Sequence, residues 1–154
     1  MLKSIESNFD NTEVNEMLVK HFIELRSVSP EGSAHVLDIA GLKNPTIKFW
    51  SLWEDEQLMG SGALKFLDKE HGEFKSIRVN DKFRKKGNGT KVINHLIDEA
   101  KKLDIKKLSL ETGAGIFFNP ARKLFNQCGF KVCEPFSHYN EDVNSVYMCL
   151  LISQ

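Results

Sequence analysis

Cysteine is scarce and odd in number. Cys128, Cys133 and Cys149 are the only three, and their spacing fits neither a metal site nor a disulfide framework. A reducing compartment, the cytoplasm, is the simplest expectation. Long apolar runs are missing as well: nothing approaches the ~20 residues that a membrane-spanning helix needs. The first residues, Met1-Leu2-Lys3-Ser4-Ile5-Glu6, lack the apolar core and small-residue cleavage site of a secretory leader. Charge of one sign is not in excess either. With 21 Lys and Arg against 21 Asp and Glu, no global field favours nucleic acid or an anionic membrane. Repeats, linkers and low-complexity segments are absent, so residues 1–154 read as a single domain.

What is present is a soluble globular composition, 41% hydrophobic and 27% charged. The chain is organised around residues 74–103, which read as strand, glycine-bearing turn and helix. Phe74–Val79 alternates, with Lys75, Ile77 and Val79 on one side and Phe74, Ser76 and Arg78 on the other. From Val92 the period lengthens: Val92, Ile93, Leu96, Ile97, Ala100 and Leu103 form the apolar stripe of an amphipathic helix. Between them lies Arg84-Lys85-Lys86-Gly87-Asn88-Gly89-Thr90. The first N–H groups of a helix have no intrahelical acceptor and sit at the positive end of its dipole, and glycines let the backbone approach a ligand. With the added cations, this turn is a cradle for a phosphate or pyrophosphate. It is not a Walker A loop, because Thr90-Lys91 follows Gly89 with no glycine at the required distance before it. It is not a dinucleotide fingerprint either, because Val92 occupies the third small position.

The flanking segments complete a regular order. Leu2–Ser7 suits a short strand. Asp10-Asn11-Thr12-Glu13 caps a helix whose face carries Val14, Met17, Leu18, His21, Phe22 and Leu25; on such a stripe His21 reads first as a packed histidine and second as a catalytic one. Ser29-Pro30-Glu31-Gly32 breaks the chain before a second short helix over Ser33–Leu42. Thr46–Glu54, Gln57–Leu67 and the 74–79 strand form an antiparallel meander. Gly60 and Gly62 mark a bulge or a close contact, and Trp50 and Trp53 are open to either a cleft or a core role. Lys106–Glu111 follows the central helix and should pair parallel to the 74–79 strand. Asn119-Pro120 opens a last helix that ends at Gly129, with Asn119 read mainly as its N-cap; strands at Phe130–Cys133 and Ser145–Ile152 close the chain.

Arg84-x-x-Gly87-x-Gly89 between a strand and a long helix resembles the acyl-CoA-binding motif of the GNAT superfamily of N-acyltransferases. Ala121-x-x-Leu124-Phe125-x-x-x-Gly129-Phe130 is similar to that family's Ala-x-x-Leu-Tyr-x-x-x-Gly-Phe. The resemblance covers nearly the whole chain. It implies an α/β fold with a mixed, mostly antiparallel sheet, helices on both faces, and the order β-α-α-β-β-β-α-β-α-β-β. It implies direct acetyl transfer from acetyl-CoA to a primary amine of a small molecule or peptide, with no metal and no nucleic acid, and a dimer as a typical assembly. Backbone groups of Ile77, Arg78 and Val79 would pair with the pantetheine. Arg84, Lys85, Lys86, Gly87, Asn88, Gly89 and Thr90 would hold the pyrophosphate, with Asn119 as a further contact. Glu73, read on the same face as Ile77 and Val79, is the expected general base, with Glu111 behind it. The family's acidic tyrosine position is Phe125, which has no proton to give, so either water or another group protonates the sulfur or Tyr139 or Tyr147 substitutes. Acceptor specificity would come from the first two helices, residues 27–32 and the stretch 135–144. A non-catalytic acyl-CoA-binding module is the alternative. A nucleic-acid contact through the 82–91 lysines is disfavoured by the zero net charge.

Overall fold

A computed structural model of the chain describes residues 2–29, 37–84 and 87–152. Seven strands form one sheet: β1 (Lys3–Glu6), β2 (Ile47–Glu54), β3 (Gln57–Phe66), β4 (His71–Val79), β5 (Lys107–Gly113), β6 (Lys131–Val132) and β7 (Ser145–Leu151), in the order β1-β2-β3-β4-β5-β7-β6. Every pairing is antiparallel except β4 with β5, which is parallel as the intervening helix requires. The helices are α1 (Thr12–Val28), α2 (Ile39–Leu42), α3 (Asn88–Lys102) and α4 (Asn119–Gln127).

The sheet is covered on both faces. On one, Val14 and Leu18 of α1 and Leu42 of α2 pack against Phe49, Leu58 and Ala63. On the other, Val92, Ile93, Leu96 and Ile97 of α3 and Phe125 of α4 bury Trp50, Leu52, Phe74, Leu108 and Phe130. Trp50 is core, and Trp53 packs beside the α1 cluster while donating to Ser51 Oγ. Neither lines a cleft. Helix α1 begins where expected, with Asn11 Oδ1 accepting the Val14 N–H at 3.1 Å. Helix α2 starts later than composition suggests, at Asp38, whose carboxylate accepts the Gly41 N–H; residues 30–36 of the expected helix and break lie outside the described residues. Strand β4 also begins earlier than Phe74, at His71, because Asp68 Oδ1 closes the preceding turn on the Glu70 and His71 N–H groups.

Two features of β4 position everything that follows. First, it pairs with β5 only from His71 to Glu73, opposite Lys107 to Ser109; beyond that the two strands diverge. Second, Lys75 lies opposite Ala63 but Arg78 lies opposite Ser61, so Ser76 and Ile77 share one partner, Gly62. This is a β-bulge, with Ser76 at φ 54°. A left-handed serine costs about 1–2 kcal/mol. Gly62 lets the sheet absorb the extra residue close to α3, since a Cβ there would lie 2.4 Å from Leu96 Cδ1.

Candidate active site

The bulge corrects the alternation read from the sequence. Counted straight through Ser76, Glu73 shares a face with Ile77 and Val79. With one residue inserted the phase reverses. Ile77 and Val79 pack with Phe74 against the α3 cluster, while Arg78 turns to α1. Glu73, Lys75 and Arg78 therefore belong to the α1 face of β4.

Where β4 and β5 part, a cleft of about 1120 Å³ opens. Glu73, opposite Ser109 in the last paired rung, sits at its apex. The carboxyl is 1% exposed. Its Oε2 accepts from the Tyr139 hydroxyl at 2.6 Å and from Lys75 Nζ at 3.2 Å, and Lys75 Nζ also donates to the Tyr139 oxygen at 3.1 Å. Its Oε1 is buried with no partner among the described residues. Glu73 and Tyr139, 66 positions apart in sequence, are thus brought into direct contact.

Tyr139 is held by an aromatic cluster in the segment between β6 and β7. Its ring lies 5.1 Å from Phe136, 5.6 Å from Tyr147 and 4.6 Å from the stacked His138 ring. Burial, then the negative charge of Glu73, push its phenol far above the usual tyrosine range, so it stays protonated. Tyr147 is committed elsewhere, donating to the Asn140 carbonyl at 2.7 Å. Glu111 lines the cleft and accepts from Ser145 Oγ at 2.8 Å.

At the open end of the cleft, Gly87 takes the left-handed conformation (φ 76°) that starts α3. Arg84, Gly87, Gly89 and Thr90 line the cleft there, as do Ile77, Arg78 and Val79 along β4. The absence of a Cβ at Gly89 admits Leu124 of α4, which would otherwise stand at 2.6 Å. Two expectations change. Asn88 does not face the cleft; its Nδ2 donates to the Phe83 carbonyl at 2.9 Å and braces the turn from behind. Asn119 is neither cap nor lining residue: its side chain accepts from Arg122, which also donates to the Gly113 and Gly115 carbonyls, and α4 begins without a side-chain cap. Lys85 and Lys86 lie outside the described residues.

The α1 wall carries a second polar group. Arg78, 6% exposed, donates to Glu24 at 2.8 Å, to Asp81 at 3.3 Å and to His21 Nδ1 at 3.3 Å. Burial, then the charge of Arg78, lower the His21 pKa to about 4. Asp81 is also paired with Lys20 and Arg84. Residue-by-residue reading of the sequence missed Lys75, Glu24 and Asp81. The one usable signal was a lysine inside a strand flanked by residues that bury. Cys128 is half-buried, and burial raises its thiol pKa. Among the described residues no cluster of three His, Cys, Asp or Glu could hold a metal, and no helix is long and apolar enough to cross a membrane.

Residues 12–130 match the model of the Acetyltransferase (GNAT) family. The uncharacterized N-acetyltransferase YsnE of Bacillus subtilis is 46% identical over 136 residues, covering 88% of this chain and 90% of its own. The uncharacterized N-acetyltransferase YedL of Escherichia coli is 38% identical over 141 residues, covering 92% and 89%. The fold superposes on a Bacillus subtilis acetyltransferase crystallised with CoA at a TM-score of 0.72 and 19% identity, over 99% of this chain and 100% of that one.

Proposed function

This chain belongs to the acetyltransferase (GNAT) family, and from that premise we propose that it is an acetyl-CoA-dependent N-acetyltransferase acting on a primary amine of a small molecule or peptide, with Glu73 as general base and Tyr139 as general acid. The observation that carries the assignment is the asymmetry of the Glu73 carboxyl. Oε2 is taken by Tyr139 and Lys75, whereas Oε1 is buried at the cleft apex with no partner among the described residues. A buried acceptor of this kind wants a donor, and an incoming ammonium, directly or through one water, is such a donor.

The residues present fit the cosubstrate. Past Glu73, the β5 side of β4 carries no strand, so backbone groups of 77–79 face the cleft as a free edge for amides. The left-handed Gly87 and the start of α3 offer N–H groups to a pyrophosphate, with Arg84 beside them. When bound, acetyl-CoA supplies a thioester carbon for the amine and a sulfur leaving group that must be protonated.

The chain's own part is proton movement. Glu73 Oε1 takes a proton from the ammonium, freeing the nitrogen lone pair. Neutralising Glu73 removes one of the causes that raise the Tyr139 pKa, so the phenol becomes a stronger acid at the step where sulfur needs a proton. The nitrogen's second proton leaves to solvent, and a half-turn of the Glu73 carboxyl carries the proton on Oε1 round to the tyrosine oxygen, restoring the 2.6 Å bond. Lys75, donating to both, steadies whichever of the two is anionic. Tyr139 thereby fills the role left open by Phe125, which is 8% exposed and packed edge-on against Phe130.

The test is acetyl-CoA-dependent thiol release across a panel of amines, with Glu73→Gln and Tyr139→Phe. Each should lower kcat by about 10²-fold or more. Because the two share one proton chain, the double variant should be little worse than the poorer single one. CoA binding, followed by thermal shift, should persist in both. A Glu73→Gln enzyme turning over at the wild-type rate refutes the assignment.

A further inference from the structure

Two buried donors on the α1 wall are left over by this chemistry. The terminal nitrogens of Arg78 are taken by Glu24, His21 and Asp81, but its Nε is buried with no partner among the described residues. His21 is 6% exposed, and its Nε2 is buried and likewise without one. A guanidinium can only donate, so His21 Nδ1 must accept from Arg78. The imidazole is neutral at physiological pH, as its lowered pKa requires, and a neutral ring with an accepting Nδ1 carries its proton on Nε2. Both orphaned atoms are therefore N–H donors. Both residues line the cleft that holds Glu73.

The charge around them has a definite sign. Lys20, Arg78 and Arg84 stand against Glu24 and Asp81, three cations to two carboxylates. An N–H donor beside a group with one surplus positive charge matches an oxygen that carries a share of one negative charge. Buried donors left unmade are rare, and here they border the space that the acceptor must enter.

We infer that the acceptor amine also carries a carboxylate, which accepts from His21 Nε2 in the field of Arg78 while its amino group faces Glu73. This inference rests on the transferase reading above and narrows its substrate class to amino acids in the broad sense.

The His21 donor could instead serve a carbonyl of the cosubstrate, and the experiment separates the two sources. Thiol release from acetyl-CoA is measured with glycine, β-alanine, 4-aminobutyrate, glutamate and lysine, each beside its carboxamide or decarboxylated amine. Carboxylates should exceed their partners at least tenfold in kcat/KM. His21→Phe, which keeps a ring but no donor, should cut that preference below threefold through the acceptor KM, with the acetyl-CoA KM within twofold of wild type. His21→Gln, which keeps an N–H, should restore most of it. Amides accepted as well as carboxylates overturn the inference while leaving the transferase reading intact, and this comparison needs only the wild-type protein. A His21→Phe effect confined to the acetyl-CoA KM also overturns it. Thiol release from neither series counts against the transferase reading itself, and this inference falls with it.

Discussion

Mild acid should destabilise this protein at a pH where most carboxylates are still charged, and His21 is the reason. In the native state its pKa is lowered from 6.5 to about 4, first by burial and then by Arg78. Between those values the unfolded chain binds a proton that the native chain does not. Stability is therefore complete above pH 6.5 and falls as the pH drops toward 4. At about 1.4 kcal/mol per unit, the full loss is about 3 kcal/mol, of which about 2 kcal/mol is gone by pH 5. The geometry says where this comes from: a proton on Nδ1 would break the 3.3 Å bond from Arg78 and face its charge. The assay is urea unfolding followed by circular dichroism at several pH values from 7.5 to 5, on the wild type and on His21→Gln. Subtraction removes groups common to both, including His71, whose pKa burial also lowers, and Glu24 and Asp81, whose bonds to Arg78 and Lys20 move their titration to lower pH. The stability difference between the two proteins should shrink by about 2 kcal/mol over this range. A difference constant to within about 0.5 kcal/mol would show that His21 titrates normally in the fold, and the account of the Arg78 network would be wrong.

Three further outcomes follow from single positions. Gly60→Ala would set a Cβ 2.2 Å from the Arg78 carbonyl oxygen, a backbone atom with nowhere to go, so denaturant unfolding should register a loss of about 3 kcal/mol. At Gly87 no atom among the described residues crowds a Cβ, and the left-handed backbone is what matters. Gly87→Asn should bind CoA nearly as the wild type does, while Gly87→Val should lose about 1–2 kcal/mol of stability and bind CoA weakly in calorimetry. Burial, together with the neighbouring Cys149, raises the Cys133 thiol pKa to about 11, so mass spectrometry should find its alkylation by iodoacetamide at pH 8 about 10²-fold slower than that of free cysteine.

The parts of the site that were legible in the sequence are those written in local chemistry. The 74–103 stretch announces strand, glycine turn and helix because its apolar period changes from 2 to 3.6 across two glycines, and the structure has α3 beginning at Asn88 after the left-handed Gly87. Gly60 and Gly62 marked a bulge or a close contact on β3, but the extra residue on the facing strand was not legible. Serine is an uncommon left-handed residue, so nothing in Lys75-Ser76-Ile77 signals an inserted position, and the face of Glu73 was misread as a result. Asn119-Pro120 has the composition of a capped helix start, yet Arg122 claims the asparagine side chain, a competition that local rules do not price. The Glu73–Tyr139 contact spans 66 residues and depends on an aromatic cluster in an irregular segment. The lack of a hydroxyl at Phe125 is the signal that pointed to Tyr139 or Tyr147 as the acid. Lys75 looked like an ordinary polar strand residue until its neighbours were seen to be buried.

The fork between β4 and β5 makes the sheet a pair of leaves on a narrow hinge. Three rungs, His71–Glu73 against Lys107–Ser109, are all that stitch β1–β4 to β5–β7–β6 within the sheet. On the proposed reading, a slender molecule lying in the fork would act as the missing spine, bridging both leaves through the free edge of 77–79. Occupancy and rigidity should then rise together: in hydrogen exchange the cleft-facing amides of those residues should become protected when CoA is added, along with those of the last rung. The proposed base, Glu73, sits in that last rung, so the carboxyl that accepts the proton would be steadied by the same event that delivers the acetyl group.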